Sequence, residues 1–183
     1  TEIPTRTFLW VSGIRANAMP GISDDHQGRG FRFKVDQFNR IPGLDGVFAI
    51  GDQCLQTTDA AYPNGHPQVA QVAIQQAKNL AKNLKRINEG QDDSALTAFK
   101  YNNLGSMATI GRNKAVVEIG KFRSQGFFAW ILWLVVHLRS ILGVKNKMMV
   151  LLNWLWKYVS YNDSIRMITY ATKPREVVER MER

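Results

Sequence analysis

Two adjoining residues at the end of an apolar run could contact a ligand. The run Val47–Ile50 is followed directly by Gly51 and Asp52. Because the run has no polar alternation, it predicts a strand buried on both faces, as in a parallel sheet, where ligands bind beyond the carboxyl ends of the strands. Gly51 would let the backbone approach a ligand, and the Asp52 carboxylate could accept a hydrogen bond from a ribose or ribityl hydroxyl. An ordinary strand-to-turn junction contains the same residue types.

Two glutamines near the start of a predicted helix form the second feature. The helix is expected from Gln68 to Asn88, with Pro67 at its first position and Gly90 after its end. Gln71 and Gln75 lie four residues apart and therefore share one face. The positive end of the helix dipole and two neutral amide donors would suit a reduced flavin or a quinone oxygen. Exposed glutamines with good helix propensity are the alternative.

The third feature is a long apolar segment, Phe127–Tyr161, that is interrupted by His137 and Arg139. A membrane span needs about 20 apolar residues without such breaks. Tryptophan and lysine side chains accompany the apolar runs, and we predict that six of them anchor the chain in a membrane interface: Trp130, Trp133, Trp154, Trp156, Lys145 and Lys147. A helical hairpin buried in a soluble core is the alternative.

The charge of the chain favours an anionic partner. Lys and Arg number 24 against 15 Asp and Glu, which gives a formal net charge of +9 over 183 residues. Nucleic acid and an acidic membrane surface are the two candidate partners. The basic residues are interleaved with aliphatic runs and no known nucleic-acid-binding motif is present, so we expect a lipid surface and no nucleic acid.

The residue types exclude several chemistries. Cys54 is the single cysteine, which rules out an internal disulfide, a Cys-x-x-Cys redox pair and a cysteine-based zinc site. The three histidines lack metal-ligand spacing, so no metal site is expected. No Ser/His/Asp order and no glycosidase-like carboxylate pair stands out, and we assign no catalytic residue.

Strands and helices must position these features. We expect a buried strand at Thr7–Val11, a half-exposed strand at Phe31–Val35 and a β-hairpin that joins Met107–Ile110 to Ala115–Ile119. A solvated helix is expected at Pro174–Met181. The elements together indicate a mixed α and β chain.

Four segments, taken in order, resemble the motifs of one flavoprotein family. They are Phe8–Asn17, Gly46–Asp52, Ala70–Gln76 and Phe99–Ala108. The chain is similar to the C-terminal portion of a type II NADH dehydrogenase, the single-subunit, non-proton-pumping NADH:quinone oxidoreductase with two dinucleotide-binding domains. No G-x-G-x-x-G motif follows a strand here, so both pyrophosphate-binding turns are expected in an N-terminal portion outside this sequence.

The resemblance implies an α+β/α/β fragment. It would contain the last strands of a Rossmann-like FAD domain, a long helix, a β-hairpin and a C-terminal amphipathic helical membrane-anchoring hairpin. Residues 1–90 would be the C-terminal part of the FAD-binding domain with the quinone-site helix. Residues 91–124 would be the β-hairpin connection, and residues 125–183 the amphipathic anchoring region.

The resemblance also implies an activity for the full-length protein. NADH, bound through the missing N-terminal domains, would reduce FAD, which would pass the electrons to a membrane quinone. Gly51, Asp52, Ala70 and Gln71 would contact FAD, while Gln71 and Gln75 would border the quinone. The protein would be a peripheral membrane protein, on the cytoplasmic face of the inner membrane if bacterial.

The fragment alone is expected to be inactive, to retain FAD poorly and to self-associate through exposed sheet edges. Two rival interpretations stay open. A sulfide:quinone oxidoreductase relative would need a redox pair of cysteines, whereas Cys54 is interpreted as a lone loop thiol. A non-catalytic membrane-surface or protein-interaction module would need no cofactor.

Overall fold

The computed structural model describes residues 4–8, 13–17, 19–141 and 143–160. The described chain divides after Asn102 into two compact units. The residues up to Asn102 are called the first unit here, and the residues from Asn103 onward the second unit.

The first unit contains a two-stranded parallel sheet and one long helix. β1 (Phe33–Val35) pairs with β2 (Cys54–Gln56), and α1 (Ala70–Asn88) follows β2. The apolar core beside the sheet is small and consists of Phe33, Val35, Ile41, Ala49 and Cys54. Short 3-10 turns occur in the connections, at Asp24–His26, Arg29–Phe31, Gly51–Gln53 and Asp93–Ala95.

The predicted strand at Val47–Ile50 is wrong. In this described segment a single antiparallel bridge joins Phe48 to Arg40. The preceding turns fold the run back on the chain just before it, where the N–H of Ala49 donates to the carbonyl of Asn39 at 3.0 Å. The backbone hydrogen bonds of the run are thus satisfied locally. The strand that pairs in parallel with β1 is β2, which lies further along the chain.

The predicted strand Phe31–Val35 is shorter than expected. The two apolar residues of β1 are buried and Lys34 is exposed, as the alternation predicts. Phe31 instead has a left-handed φ of 59° and is 47% exposed, while Arg32 is buried. Arg32 Nη1 donates to the carbonyl of His66 at 3.0 Å, so the buried guanidinium has a partner. Burial lowers the pKa of Arg32.

The predicted long helix is present as α1, but it begins at Ala70 rather than at Gln68. Val69 is the N-cap, and its N–H donates to the carbonyl of Pro67 at 3.0 Å. Pro67 therefore precedes the helix and is not its first residue. The end of the helix agrees with the sequence, since Gly90 follows it with a left-handed φ of 76°.

Some sequence predictions fall outside the described residues. Thr7 and Phe8 of the strand predicted at Thr7–Val11 have no regular structure, and the rest of that strand lies outside. The helix predicted at Pro174–Met181 lies outside the described residues altogether.

The second unit is a three-stranded antiparallel sheet with two helices. β3 (Ser106–Thr109), β4 (Ala115–Ile119) and β5 (Phe122–Gly126) are adjacent in that order. The predicted hairpin is confirmed, with Thr109 opposite Ala115. The third strand was missed because its sequence is polar in the centre and lacks an apolar alternation.

Both predicted apolar runs of the second unit are helical. α2 (Phe127–Ser140) packs on the sheet through Ala129, which is buried with Ala115 and Val117. α3 (Val144–Ser160) buries no residue. Among the described helices, none has the length and apolarity that crossing a membrane requires.

Gly105 provides a test of the packing ahead of β3. Its φ is 102°, and a Cβ placed there would meet the carbonyl of Glu118 and lie 2.9 Å from Ile119 Cγ1. Gly105→Ala should therefore lower the free energy of unfolding by about 2–3 kcal/mol. Urea unfolding would measure the change.

Gly111→Ala is the matched control. Gly111 also has a left-handed φ, 63°, but nothing lies within 4 Å of the added Cβ. The Gly111→Ala variant should therefore lower the free energy of unfolding by only about 1 kcal/mol, which is the cost of a Cβ in the left-handed backbone conformation. If both variants lose the same free energy of unfolding, the contact of residue 105 with β4 does not affect stability.

Candidate functional site

The turn at Gly51–Gln53 lies directly against α1. The N–H of Gly51 donates to Gln76 Oε1 at 2.7 Å. Gly51 has a left-handed φ of 64°, and a Cβ there would lie 3.1 Å from Ala73 Cβ. A side chain at this position would thus strain both the backbone and the packing. Glycine is required here for the close approach of turn and helix.

The start of α1 meets the same turn. Gln68 Nε2 donates to the carbonyl of Asp52 at 3.0 Å, while the Asp52 residue itself is exposed. Val69, the N-cap, has no polar side-chain atom with which to cap the helix. The backbone dipoles of the first turn, at Ala70 and Gln71, therefore supply positive potential beside the Asp52 turn without a capping side chain to offset it.

Gln71 and Gln75 lie near the start of α1. Both are half-buried. Gln75 exchanges two hydrogen bonds with the backbone of Asn102: Nε2 donates to the carbonyl at 2.9 Å, and Oε1 accepts from the N–H at 3.0 Å. One amide hydrogen of Gln75 is thus committed to holding the chain near residue 102. The structure brings the predicted flavin and quinone residues of the first unit to one end of α1.

Gln76 was not predicted as a site residue, yet it connects the turn to the sheet. It is 1% exposed, and its Nε2 donates to Cys54 Sγ at 3.4 Å while its Oε1 accepts from Gly51. Its place on the buried face of the apolar helix pattern was the signal in the sequence. A glutamine at a core position must find polar partners inside.

Cys54 is a buried strand residue, so its interpretation as a loop thiol is wrong. It begins β2 and is 3% exposed. Asn39 Nδ2 also donates to its Sγ, at 3.4 Å. Burial raises the pKa of the Cys54 thiol, more than the two donors lower it. A neutral, enclosed thiol is a poor nucleophile, which disfavours redox chemistry at this residue.

An unpredicted hydrogen bond between His66 and Asp59 lies in the loop between β2 and α1. His66 Nε2 lies 3.0 Å from Asp59 Oδ2, and the two side chains are 3% and 9% exposed. The same carboxylate accepts from the N–H groups of Ala61 and Tyr101, at 3.0 and 3.3 Å. The hydrogen bond from His66, followed by those two N–H groups, lowers the pKa of Asp59. The pair fixes the path of the chain into α1.

Aromatic contacts surround the residues predicted to anchor the second unit. Trp130 stacks on Tyr158 with ring centroids 5.9 Å apart, and Trp133 lies 5.9 Å from Trp154. Trp156 is 69% exposed. Lys145 is exposed and Lys147 half-buried, both in the first turn of α3. Three of the four indoles therefore contact other rings of the unit, and the fourth faces outward.

The described residues contain no cluster of His, Cys, Asp and Glu that could hold a metal ion. The polar groups gathered at the start of α1 are neutral amides, backbone N–H groups and one exposed carboxylate. Such a set can orient a polar, hydroxyl-bearing or weakly anionic ligand. It contains neither a nucleophile nor a general base with a partner that activates it.

Known protein families and solved structures include relatives of this chain. Residues 103–161 match the family described as the NDH2 C-terminal domain, so the match begins where the second unit begins. The fold resembles that of NDH2 from Plasmodium falciparum, solved in complex with NADH: the TM-score is 0.64 at 17% identity, over 75% of this chain and 41% of that one.

Curated relatives of this chain include proteins named as NADH:quinone or NAD(P)H-ubiquinone oxidoreductases. The chain is 37% identical over 167 residues to a type II NADH:quinone oxidoreductase of Mycobacterium tuberculosis, covering 87% of this chain and 34% of the relative. It is 32% identical over 181 residues to an internal alternative NAD(P)H-ubiquinone oxidoreductase of Arabidopsis thaliana, covering 91% and 35%. The resemblance to the C-terminal portion of a type II NADH dehydrogenase is confirmed. The chain spans about a third of the length of these relatives.

Substitution of Gln76 tests the connection between turn and helix. Gln76→Leu keeps the volume but leaves the N–H of Gly51 without its acceptor, so we expect a loss of about 1–3 kcal/mol in the free energy of unfolding. Lys78→Leu, at an exposed position of α1, should change it by less than about 0.5 kcal/mol. Urea unfolding of both variants decides. A Gln76→Leu variant as stable as the Lys78→Leu variant would refute the role.

The Asp59–His66 pair predicts a response to acid. Because the pKa of Asp59 is lowered in the folded chain, its ionised form contributes stability above the ordinary Asp pKa of about 3.9, and that contribution is lost as the pH falls through the lowered value. Asp59→Asn should therefore be less stable at neutral pH and should lose less stability on acidification. The measurement is the urea midpoint between about pH 5 and pH 2.

Asp45→Asn is the matched control for this titration, since Asp45 is exposed in a turn. It should retain the acid dependence of the unmodified chain. If Asp59→Asn behaves as Asp45→Asn does, the pair does not stabilise the loop.

Proposed function

We propose that this chain forms the flavin- and quinone-facing C-terminal part of an NADH:quinone oxidoreductase. The complete enzyme passes electrons from NADH through FAD to a membrane quinone without pumping protons. The observation that carries the proposal is the attachment of the Gly51–Gln53 turn to α1, through Gln76 at 2.7 Å and through Gln68 just before the helix at 3.0 Å. Relatives named as NADH:quinone oxidoreductases support it.

The residues of the turn and the helix start fit one part of a flavin. Gly51 has no side chain to block an approach, and the exposed Asp52 carboxylate can accept a hydrogen bond from a ribityl hydroxyl. The backbone N–H groups of Ala70 and Gln71 would face the pyrimidine edge, where the dipole of α1 favours negative charge. Bound at these residues, FAD would supply the redox chemistry between NADH and quinone.

The two glutamines would border the quinone. Gln71 would donate from its amide to a quinone oxygen without adding a charge. Gln75, tied to Asn102 at 2.9 and 3.0 Å, would keep the backbone after Tyr101 in place along the same helix face. Both residues would then affect the reaction with quinone more than the reaction with NADH.

The second unit would attach the protein peripherally to a membrane, on the cytoplasmic face of the inner membrane if bacterial. Large apolar side chains of α2 and α3 are exposed, among them Phe128 at 82%, Val144 at 78% and Trp156 at 69%. Apolar surface of this extent, with indoles and with Lys145 and Lys147 beside it, is typical of a helix pair lying in a lipid interface.

We propose functional segments with the limits predicted from the sequence: 1–90 for the last part of the FAD domain, 91–124 for the connection and 125–183 for the anchoring region. We propose self-association of the chain as well. The exposed apolar side chains of α3 offer surface for such an association.

Separate half-reactions of the complete enzyme test the proposal. Gln71→Ala should slow the reoxidation of reduced flavin by quinone about tenfold, the effect of one lost hydrogen bond. Gln75→Ala should slow the same step because the backbone at Asn102 loses the two hydrogen bonds that hold it beside α1. Reduction of the flavin by NADH should remain within about twofold of the unmodified rate. Stopped-flow absorbance of the flavin follows both steps.

Lys82→Ala, an exposed substitution further along α1, is the control and should leave both half-reactions unchanged. Equal losses in the two half-reactions for Gln71→Ala and Gln75→Ala would contradict the assignment. Thermal unfolding of each variant separates a misfolded protein from an impaired site.

A further inference from the structure

Two side chains hold consecutive residues at the end of the first unit. The N–H of Tyr101 donates to Asp59 Oδ2 at 3.3 Å. The next residue, Asn102, exchanges two hydrogen bonds with Gln75, at 2.9 and 3.0 Å. Only the two backbone dihedral angles of Tyr101 separate the N–H held by Asp59 from the N–H held by Gln75. A displacement at one of these bonds is therefore passed on to the other.

The Asp59 carboxylate is itself fixed from the side away from α1. His66 Nε2 lies 3.0 Å from Oδ2, the same atom that accepts from Tyr101, and the N–H of Ala61 donates to Oδ1 at 3.0 Å. Because the pKa of Asp59 is lowered, the carboxylate is ionised at neutral pH and can only accept, so His66 Nε2 carries the hydrogen. His66 is buried and the Asp59 side chain nearly so, which keeps water from competing for these bonds.

Ring contacts fix the imidazole as well as its hydrogen bond. The His66 ring lies edge-on to Phe99 and Tyr101, with ring centroids 5.3 and 5.9 Å apart. Tyr62 contacts both His66 and Tyr101, at 5.2 and 5.3 Å. Contacts of this kind restrict the direction of a ring as well as its distance. The side chain of Tyr101 and its N–H are thus both held by the Asp59–His66 pair and its surroundings.

The same arrangement is attached to the sheet at two points. Arg32, which directly precedes β1, donates from Nη1 to the carbonyl of His66 at 3.0 Å. Gln56, the last residue of β2, donates from Nε2 to the carbonyl of Phe99 at 3.1 Å. The sheet therefore supports both the pair and the segment 99–102.

We propose that the Asp59–His66 pair positions Gln75 for the quinone, through the backbone of Tyr101 and Asn102. Since Oε1 and one amide hydrogen of the planar Gln75 amide are bound to Asn102, the direction of the other amide hydrogen follows Asn102. Asp59 and His66 act through the backbone and are positioning residues. The proposal rests on the quinone-bordering role proposed for Gln75 and adds the residues that fix its direction.

Steady-state kinetics of the complete enzyme test the pair. Asp59→Asn leaves one oxygen for three donors, so the KM for quinone should rise about tenfold, the effect of one hydrogen bond, while kcat and the KM for NADH stay within about twofold. His66→Phe keeps a ring without the donor and should raise the KM for quinone too. His66→Gln supplies an amide N–H in place of Nε2 and should keep it within about twofold of the unmodified value.

A double-variant cycle shows whether the pair acts through Gln75. In a Gln75→Ala background, Asp59→Asn should change the KM for quinone by less than about twofold, because the residue that the pair positions is already absent. Asn79→Ala is the control. Asn79 donates to the carbonyl of Thr97 at 2.9 Å, and Asn83 donates to the same oxygen. The control should leave the KM for quinone within about twofold.

Amide hydrogen exchange of the complete enzyme without quinone gives a measurement that does not depend on activity. Exchange at the N–H of Asn102 should be at least about tenfold faster in Asp59→Asn than in the unmodified protein, although Asp59 does not bind that N–H. Asn79→Ala should leave it unchanged. Mass spectrometry with fragmentation of the peptide that contains residues 99–102 resolves the position.

Unchanged exchange at Asn102 in Asp59→Asn would overturn the proposal. Additive effects of Asp59→Asn and Gln75→Ala on the KM for quinone would do so as well, and so would equal effects of His66→Gln and His66→Phe. Circular dichroism checks the fold of each variant, and if Asp59→Asn does not fold, the comparison of the two His66 variants decides. If the unmodified complete enzyme does not reduce quinone, the proposed function fails, while hydrogen exchange still decides whether the pair positions Gln75.

Discussion

The hydrogen bond from the Gly51 N–H to Gln76 Oε1, 2.7 Å long, joins the turn before β2 to the middle of the buried face of α1. It requires a residue without Cβ on one side, because Ala73 lies 3.1 Å from where that atom would be. It requires a buried amide on the other. With this bond in place, the exposed Asp52 lies beside a helix start whose N-cap is apolar.

Polar side chains stabilise much of the first unit, since its sheet is short. Asn83 exchanges two hydrogen bonds of 2.9 Å with the backbone of Thr97, and Gln56 Nε2 donates to the carbonyl of Phe99 at 3.1 Å. Each side-chain amide supplies a backbone group of an irregular segment with the hydrogen bond that a neighbouring strand would otherwise supply. Buried amides of this kind cost stability when unpaired, so they also restrict the unit to one arrangement of its loops.

The second unit differs from the first in that it has a small apolar core and a large exposed apolar surface. Its sheet and α2 bury a small apolar cluster around Ala115, Val117 and Ala129, while α3 leaves nearly all of its apolar side chains outside. Exposed apolar surface with basic residues around it is unfavourable in water and favourable where water meets lipid. A surface of this kind agrees with the membrane attachment proposed above.

The sequence indicated the resemblance to one family through four motifs in order, and it predicted α1, the β3–β4 hairpin and both apolar helices, because regular periodicity and turn residues are local properties. The sequence did not predict three features of the first unit. Val47–Ile50 forms an isolated bridge instead of a strand, Cys54 is buried, and Gln76 accepts a hydrogen bond from Gly51. Those features depend on partners that are distant in the chain. For example, Asn39 and Gln76 lie far apart in the sequence, yet both side chains donate a hydrogen bond to Cys54 Sγ. Only the tertiary structure decides such contacts, since a buried polar atom takes whichever partner the fold brings within reach.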